Sequence, residues 1–314
     1  ELKQLILNRI YFPNDYVLNL HKELKLLSIS GSVLQGEDLL NIRKLAESIE
    51  KIFRWFNEER RVAYSGLWEI VQGTYYEKAI IALIDEVIDE QGNVKDSASD
   101  ALRDIRQSLY KKRNELRKIF DRIISRLSKQ GYLAEIEESF MNGRRVVAVF
   151  SEHKRVVKGI FHGESDSRKT AFIEPEETMP LNNEISDLEN QERKEVYRIL
   201  RQLTARLSQY AALLHTYHAI VGEYDFIRAK AKFAIDINGE YPVVHDKALV
   251  HLVQAYHPLL YLYNKKSGKP TVPVTVTLKE DQRILVISGP NAGGKTVTMK
   301  TIGLLQMMLQ SGLL

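Results

Sequence analysis

The chain has 314 residues, a formal net charge of +4, 44% apolar residues and no cysteine. That length predicts two or three domains, and the apolar content supports packed cores rather than disorder. The composition excludes disulfides and thiolate metal sites and fits a reducing, cytoplasmic setting; no apolar run reaches the ~18 residues of a membrane span, and the opening ELKQLILNRIYF lacks a signal-peptide pattern.

Residues 1–95 read as a helical core, with EDLLNIRKLAESIEKIFRWF carrying apolar residues at helical spacing. Turn-forming residues cluster in SISGSVLQGE and DEQGNVKDSASD, and Ser97–Asp100 predicts a capping box at the next helix start. From there a seam runs Leu102, Ile105, Leu109, Leu116, Ile119, Ile123, Leu127, with Lys112 in the skipped slot. A second seam runs Ile185, Leu188, Glu192, Val196, Ile199, Leu203, Leu207, Tyr210, Leu214, Tyr217, Val221. Stripes this narrow belong to helices that pair with another helix, so two antiparallel arms are expected, ~40 Å and ~55 Å long at 1.5 Å per residue. Between them the period falls to two: YLAEIEE, RRVVAVF, RVVKGIF and KTAFIEP predict a small β-rich module over residues 132–181 at the tip of the hairpin. Helix resumes through YDFIRAKAKFA; turns at INGEYP, then VPVTVTL and ILVIS, predict a strand-rich approach to the last motif. Tyr75 and Tyr76 read as packing residues, and His257 before Pro258 as a strand-end turn.

That motif is Gly289-Pro290-Asn291-Ala292-Gly293-Gly294-Lys295-Thr296, a full match to G-x-x-x-x-G-K-[ST]. A buried strand run, RILVIS, is expected before it and a helix, TVTMKTIGLLQMMLQ, after it. Successive amides at a helix start can surround a polyphosphate, and glycines admit it without a Cβ in the way. Lys295 is the cation for the β- and γ-phosphates of ATP, and the Thr296 hydroxyl a ligand for Mg²⁺. Hydrolysis needs a later acid and a water-positioning residue, and only 18 residues follow Thr296. The chain is therefore expected to supply a phosphate-binding half-site, with no catalytic residue of its own.

HPLL at 257–260, VPVTVTL and ISGPNAGGKTVTMKTIGLL together resemble the MutS family. With DEQGNVKDSAS and FIEPEETMPLNNEI, the chain is more similar to the type II branch of that family. The resemblance implies a mainly α fold with small β parts: a helical core (1–95), a lever helix (96–131), a β-rich clamp (132–181), a returning lever and core (182–235), and the start of a P-loop α/β ATPase domain (236–314). It implies ATP and Mg²⁺ as cofactors, an ATPase activity completed by chain absent here, a C-terminal nuclease domain also absent, and a homodimer that closes on branched or mismatched DNA to suppress recombination or aid repair. Some members of the family act instead on stalled ribosomes, so the ribosome or RNA is an alternative partner; no membrane is implied. Both ends read as trimmed. Adenine contacts are implied near Val272 and Pro273.

Residues 101–130 hold ten Lys or Arg against three acids, which suits either a phosphate track or the solvated face of a helix pair. Arg144, Arg145, Lys154, Arg155, Lys158, Arg168 and Lys169 lie in the tip module and are its candidate nucleic-acid contacts, with ordinary surface charge as the alternative. His162 and Glu174 read as structural residues in turns. Two other architectures compete. An SMC-like ATPase would carry its loop before the coiled coil, and a dimerising coiled-coil scaffold with a vestigial loop would not need Lys295 and Thr296.

Overall fold

A computed structural model describes every residue of the chain except Tyr16, Asn142, Asn291 and Ala292. In order, the described helices are α1 (Leu2–Leu7), α2 (His21–Leu27), α3 (Gly36–Trp55), α4 (Glu58–Ala63), α5 (Ser65–Gln72), α6 (Ala79–Val87), α7 (Asp100–Lys129), α8 (Met179–Ser208), α9 (Ala211–Asp236), α10 (Pro258–Lys266) and α11 (Lys295–Gln310). The strands are β1 (Leu133–Met141), β2 (Arg144–Phe150), β3 (Gly159–Glu164), β4 (Thr170–Pro175), β5 (Val250–Ala255) and β6 (Val274–Leu278). The fold is thus mainly helical with small antiparallel sheets. It divides into two compact units, one of residues 1–18, 45–76 and 215–314 and the other of residues 19–44 and 77–214.

In the second unit α7 and α8 run antiparallel. Ion pairs fix their register: Arg106 reaches Glu192 at 2.7 Å, Arg113 reaches Glu189 at 2.7 Å, Lys112 reaches Glu184 at 2.5 Å, and Arg126 reaches Glu177 at 2.8 Å. The slot Lys112 leaves in the apolar seam is therefore filled by a charge pair. Leu109 and Leu116 pack on Leu181 and Ile185, with Ile105, Ile119 and Leu188 partly buried around them. The start of α7 is capped by Ser99 alone, whose Oγ accepts from the Leu102 amide at 3.0 Å; Ser97 lies in the preceding 3₁₀ turn. Ser99 Oγ also donates to Glu195 Oε1 at 2.7 Å, tying that cap to α8.

The second rod is shorter than the seam predicts. α8 ends at Ser208, and residues 209 and 210 form a turn before α9. At the break Ser208 Oγ donates to the Ala205 carbonyl at 2.7 Å, a side-chain competitor for a main-chain acceptor of the kind that interrupts or bends helices.

The four strands of residues 133–175 form one sheet in the order β1-β2-β4-β3, all pairs antiparallel. Val147, Val149, Ala171 and Ile173 on its inner face close over Phe120, Ile123 and Leu127 near the end of α7. Val146 and Ala148 alternate with them and are also fully buried, which accounts for the unbroken apolar run of β2.

The first unit is built around aromatic residues. Phe12 meets the Trp55 ring edge-on at 5.0 Å and lies 5.0 Å from Tyr224, while Arg60 and Arg61 stack over Trp55 and Trp68. The buried Tyr224 hydroxyl donates to the Leu67 carbonyl at 2.6 Å; burial and the Glu223 charge push its pKa well up. Tyr217 donates to the Tyr75 carbonyl at 2.8 Å, yet the Tyr75 side chain is 59% exposed, so the expected packing role belongs to its backbone. α9 closes with Asn238 in the left-handed region (φ 54°) and the Gly239 amide on the Ala234 carbonyl at 2.7 Å. Beyond it β5 and β6 pair, with Leu252 opposite Val276.

The structure departs from the sequence pattern at three places. β5 was not foreseen, because residues 250–255 alternate only weakly. His257 is the N-cap of α10 rather than a strand-end residue, with Pro258 at the first helical position, which suits its missing amide. The run RILVIS is neither buried nor a strand: Ile284 is 87% exposed and Val286 is 83% exposed. An extended apolar segment keeps its ladder only beside a partner strand, and none of the described residues pairs with 284–288.

Candidate nucleotide and nucleic-acid sites

The phosphate-loop motif leads into the 16-residue α11. Gly294 is the N-cap at φ 81°, ψ 9°, and a Cβ there would touch nothing within 4 Å. What requires glycine at this position is the left-handed backbone and not a lack of space. The Gly293 amide donates to the Pro290 carbonyl at 3.0 Å, and a Cβ at Gly293 would lie 3.1 Å from that oxygen. Lys295 Nζ folds back to donate to the carbonyls of Gly289 (2.5 Å) and Pro290 (2.8 Å). Thr296 is exposed on the first turn. Asn291 and Ala292, also expected to bind nucleotide, lie outside the described residues.

α4 and α7 have their first-turn amides capped by the Asn57 and Ser99 side chains, whereas no side chain caps α11. A long helix with open amides and a lysine held over the turn can take an anion by backbone donation, helix dipole and ammonium charge together. The residues present fit a Mg²⁺-bound polyphosphate. Val272, implied as an adenine contact, is 88% exposed.

On the four-stranded sheet the seven basic candidates separate into two groups. Arg144 donates to Glu174 Oε1 at 2.7 Å and to Asn183 Oδ1 at 2.6 Å. Arg145 pairs with Glu138 at 2.5 Å and stacks over the Phe120 ring at 4.5 Å. Lys154 reaches Glu164 at 2.8 Å and lies over Phe161. Arg155, Lys158, Arg168 and Lys169 are exposed and form no ion pair among the described residues. Ser151 joins two of the turns that carry them: its amide donates to the Lys169 carbonyl at 2.9 Å and its hydroxyl to the Arg168 carbonyl at 2.8 Å. The loop holding Lys154 and Arg155 thus lies beside the loop holding Arg168 and Lys169, while Lys158 is at the other end of β3.

His162 and Glu174 are on strands, not in turns. Glu174 is fully buried and accepts from Arg144, from Asn182 Nδ2 at 2.9 Å and from His162 Nε2 at 2.9 Å. Burial pushes its carboxyl up, but hydrogen bonds from Asn182, His162 and Arg144 with the Arg144 charge outweigh this and hold it below the usual range. One carboxylate thereby joins β2, β3, β4 and the first turns of α8. Sequence reading missed this node because its four members are spread over residues 144–182 and only the strand register brings them together.

No protein-family model matches the chain. Among curated proteins, the endonuclease MutS2 of Geobacillus sp. (strain WCH70) is 34% identical over 313 residues, covering 97% of this chain and 38% of that protein. Endonuclease MutS2 of Clostridium botulinum (strain 657 / Type Ba4) is 35% identical over 92% of this chain and 36% of its own length. That of Alkaliphilus metalliredigens (strain QYMF) is 32% identical over 100% of this chain and 39% of its own length. The chain therefore spans well under half the length of the curated relatives it matches. The likeness runs over nearly every residue described above, and it supports membership of the MutS2 family.

Proposed function

We propose that the chain is the core, lever, clamp and opening ATPase segment of a MutS-type ATPase. Residues 289–296 bind Mg·ATP, with Lys295 on the β- and γ-phosphates and Thr296 on Mg²⁺. The observation that carries this reading is the combination of left-handed Gly294, the uncapped start of α11 and the Lys295 ammonium on the loop carbonyls. The α7–α8 hairpin serves as the lever and the four-stranded sheet as the clamp. Arg155, Lys158, Arg168 and Lys169 hold the backbone of branched or mismatched DNA in a homodimer of the whole, cytoplasmic protein. Arg144, Arg145 and Lys154 support the sheet through their carboxylate partners. ATP drives such a clamp only if it binds open and closed arrangements differently. Hydrolysis is completed by parts of the whole protein outside this chain.

Equilibrium dialysis of Mg·ATP against the chain and against Lys295→Ala tests the nucleotide site. Binding by the wild type with at least tenfold weaker binding by the variant supports it, and equal affinity overturns it.

A further inference from the structure

The ten basic residues of α7 fall into two sets. Arg103, Arg106, Lys112, Arg113 and Arg126 are each held by a carboxylate. Lys111, Arg117, Lys118, Arg122 and Lys129 are exposed and form no ion pair among the described residues. Four of the second set share one line. At 100° per residue, Lys111, Lys118, Arg122 and Lys129 lie within about 40° of one another, roughly 160° from the mean direction of the buried Leu102, Leu109, Leu116, Phe120, Ile123 and Leu127. They span ~27 Å of helix at 1.5 Å per residue.

The placement is not what solubility alone requires. A helix pair uses its flanking charges to fix register, and α7 does so with its paired set. The remaining cations could alternate with acids on the outer face, yet from Lys111 to Lys129 that line has one acid, Glu115, whose carboxylate is 3.7 Å from Lys112. The line also ends at further free cations. Tyr132, three residues beyond Lys129, accepts from the Phe150 amide at 3.0 Å, and its ring lies 4.6 Å from that of His153. This sets the Lys154–Arg155 turn, and the Arg168–Lys169 turn bonded to Ser151, at the end of α7.

We propose that the outer face of α7 is a second nucleic-acid surface, a track in which Lys111, Lys118, Arg122 and Lys129 hold the phosphodiester backbone of a duplex that continues onto the basic turns of the sheet. Contacts of this kind position a duplex without reading its sequence. The proposal rests on the nucleic-acid reading of the sheet, so its test separates the two.

Binding of the full chain to a 30-bp DNA duplex and a 30-bp RNA duplex is followed by fluorescence anisotropy across a salt series. Each phosphate contact contributes about 0.9 to the slope of log K against log salt on B-DNA. The variant Lys111→Gln/Lys118→Gln/Arg122→Gln/Lys129→Gln is expected to flatten the DNA slope by roughly 3 to 4. The charge-retaining Lys111→Arg/Lys118→Arg/Lys129→Arg keeps the wild-type slope. Arg155→Gln/Lys158→Gln/Arg168→Gln/Lys169→Gln tests the sheet alone. An unchanged slope in the α7 variant, with loss in the sheet variant, overturns the track and leaves the clamp standing. Loss in the charge-retaining variant also overturns it, because packing and not charge would then be responsible. No effect from either neutralised set overturns both. Equal flattening on DNA and RNA identifies the shared backbone as the ligand, and flattening on one duplex alone names the source.

Discussion

Glu174→Ala isolates the node that holds the sheet on the hairpin. The wild-type carboxylate is fully buried and accepts three side-chain hydrogen bonds, from Arg144 at 2.7 Å, Asn182 at 2.9 Å and His162 at 2.9 Å. Removing one partner of a buried pair typically costs ~3–5 kcal/mol. Here the cost is lower, because the Arg144 side chain is 30% exposed and its guanidinium can regain water; about 2–4 kcal/mol is expected. Hydrogen–deuterium exchange of peptides covering residues 144–175 reads that loss directly, since opening of the sheet exposes its amides. At 1.4 kcal/mol per tenfold, protection should fall roughly 30- to 700-fold. The effect has a defined pH sense. The folded-state carboxyl lies below its usual range, so its contribution is complete above the unfolded pKa and is lost as pH falls through the folded one. The wild-type-to-variant protection ratio, which cancels intrinsic exchange, should therefore narrow toward one in acid. Protection within threefold of wild type at neutral pH, or a ratio that grows in acid, would refute the reasoning.

Other consequences can be checked independently. Gly36→Ala places a Cβ 1.7 Å from the Gly92 carbonyl oxygen, a backbone clash that should cost ~1–3 kcal/mol and lower the urea midpoint of the second unit; an unchanged midpoint contradicts that contact. Glu195 is held at about 2 by hydrogen bonds from Arg198 and Ser99. Its stabilisation of the hairpin should be complete above pH ~4.5 and fade toward pH ~2, and circular-dichroism melts of Glu195→Gln should lack that acid limb. Gly294→Ala forces a Cβ into the left-handed region at ~1–3 kcal/mol and should weaken Mg·ATP binding about tenfold, with helix content unchanged.

The helical hairpin was legible because a narrow apolar seam and its flanking charges report on a single partner helix; Lys112 and Glu192 inside the two seams are explained by their pairs with Glu184 and Arg106. The sheet was legible from short β-branched and aromatic runs set off by turn residues in 132–181, and the start of α11 from the glycines and the helical run that flank Lys295. Phe120, fully buried under the sheet with the seam residues Ile123 and Leu127, is passed over in the seam for its less buried neighbour Ile119. The Glu174 node and the division of basic residues into paired and free sets depend on strand register and helix facing, which no linear spacing displays. The run at 284–288 misled for the opposite reason. Its composition is that of a buried strand, but burial comes from neighbours that a local pattern cannot supply.

The proposed function needs the turn at residues 289–296 to cradle a triphosphate. Titration of the chain with fluorescent ATP, with and without Mg²⁺ and beside Lys295→Ala, examines that directly. Saturable, Mg²⁺-dependent binding that falls at least tenfold in the variant is the predicted result. Binding that is absent from wild type, or indifferent to both Mg²⁺ and Lys295, would contradict it.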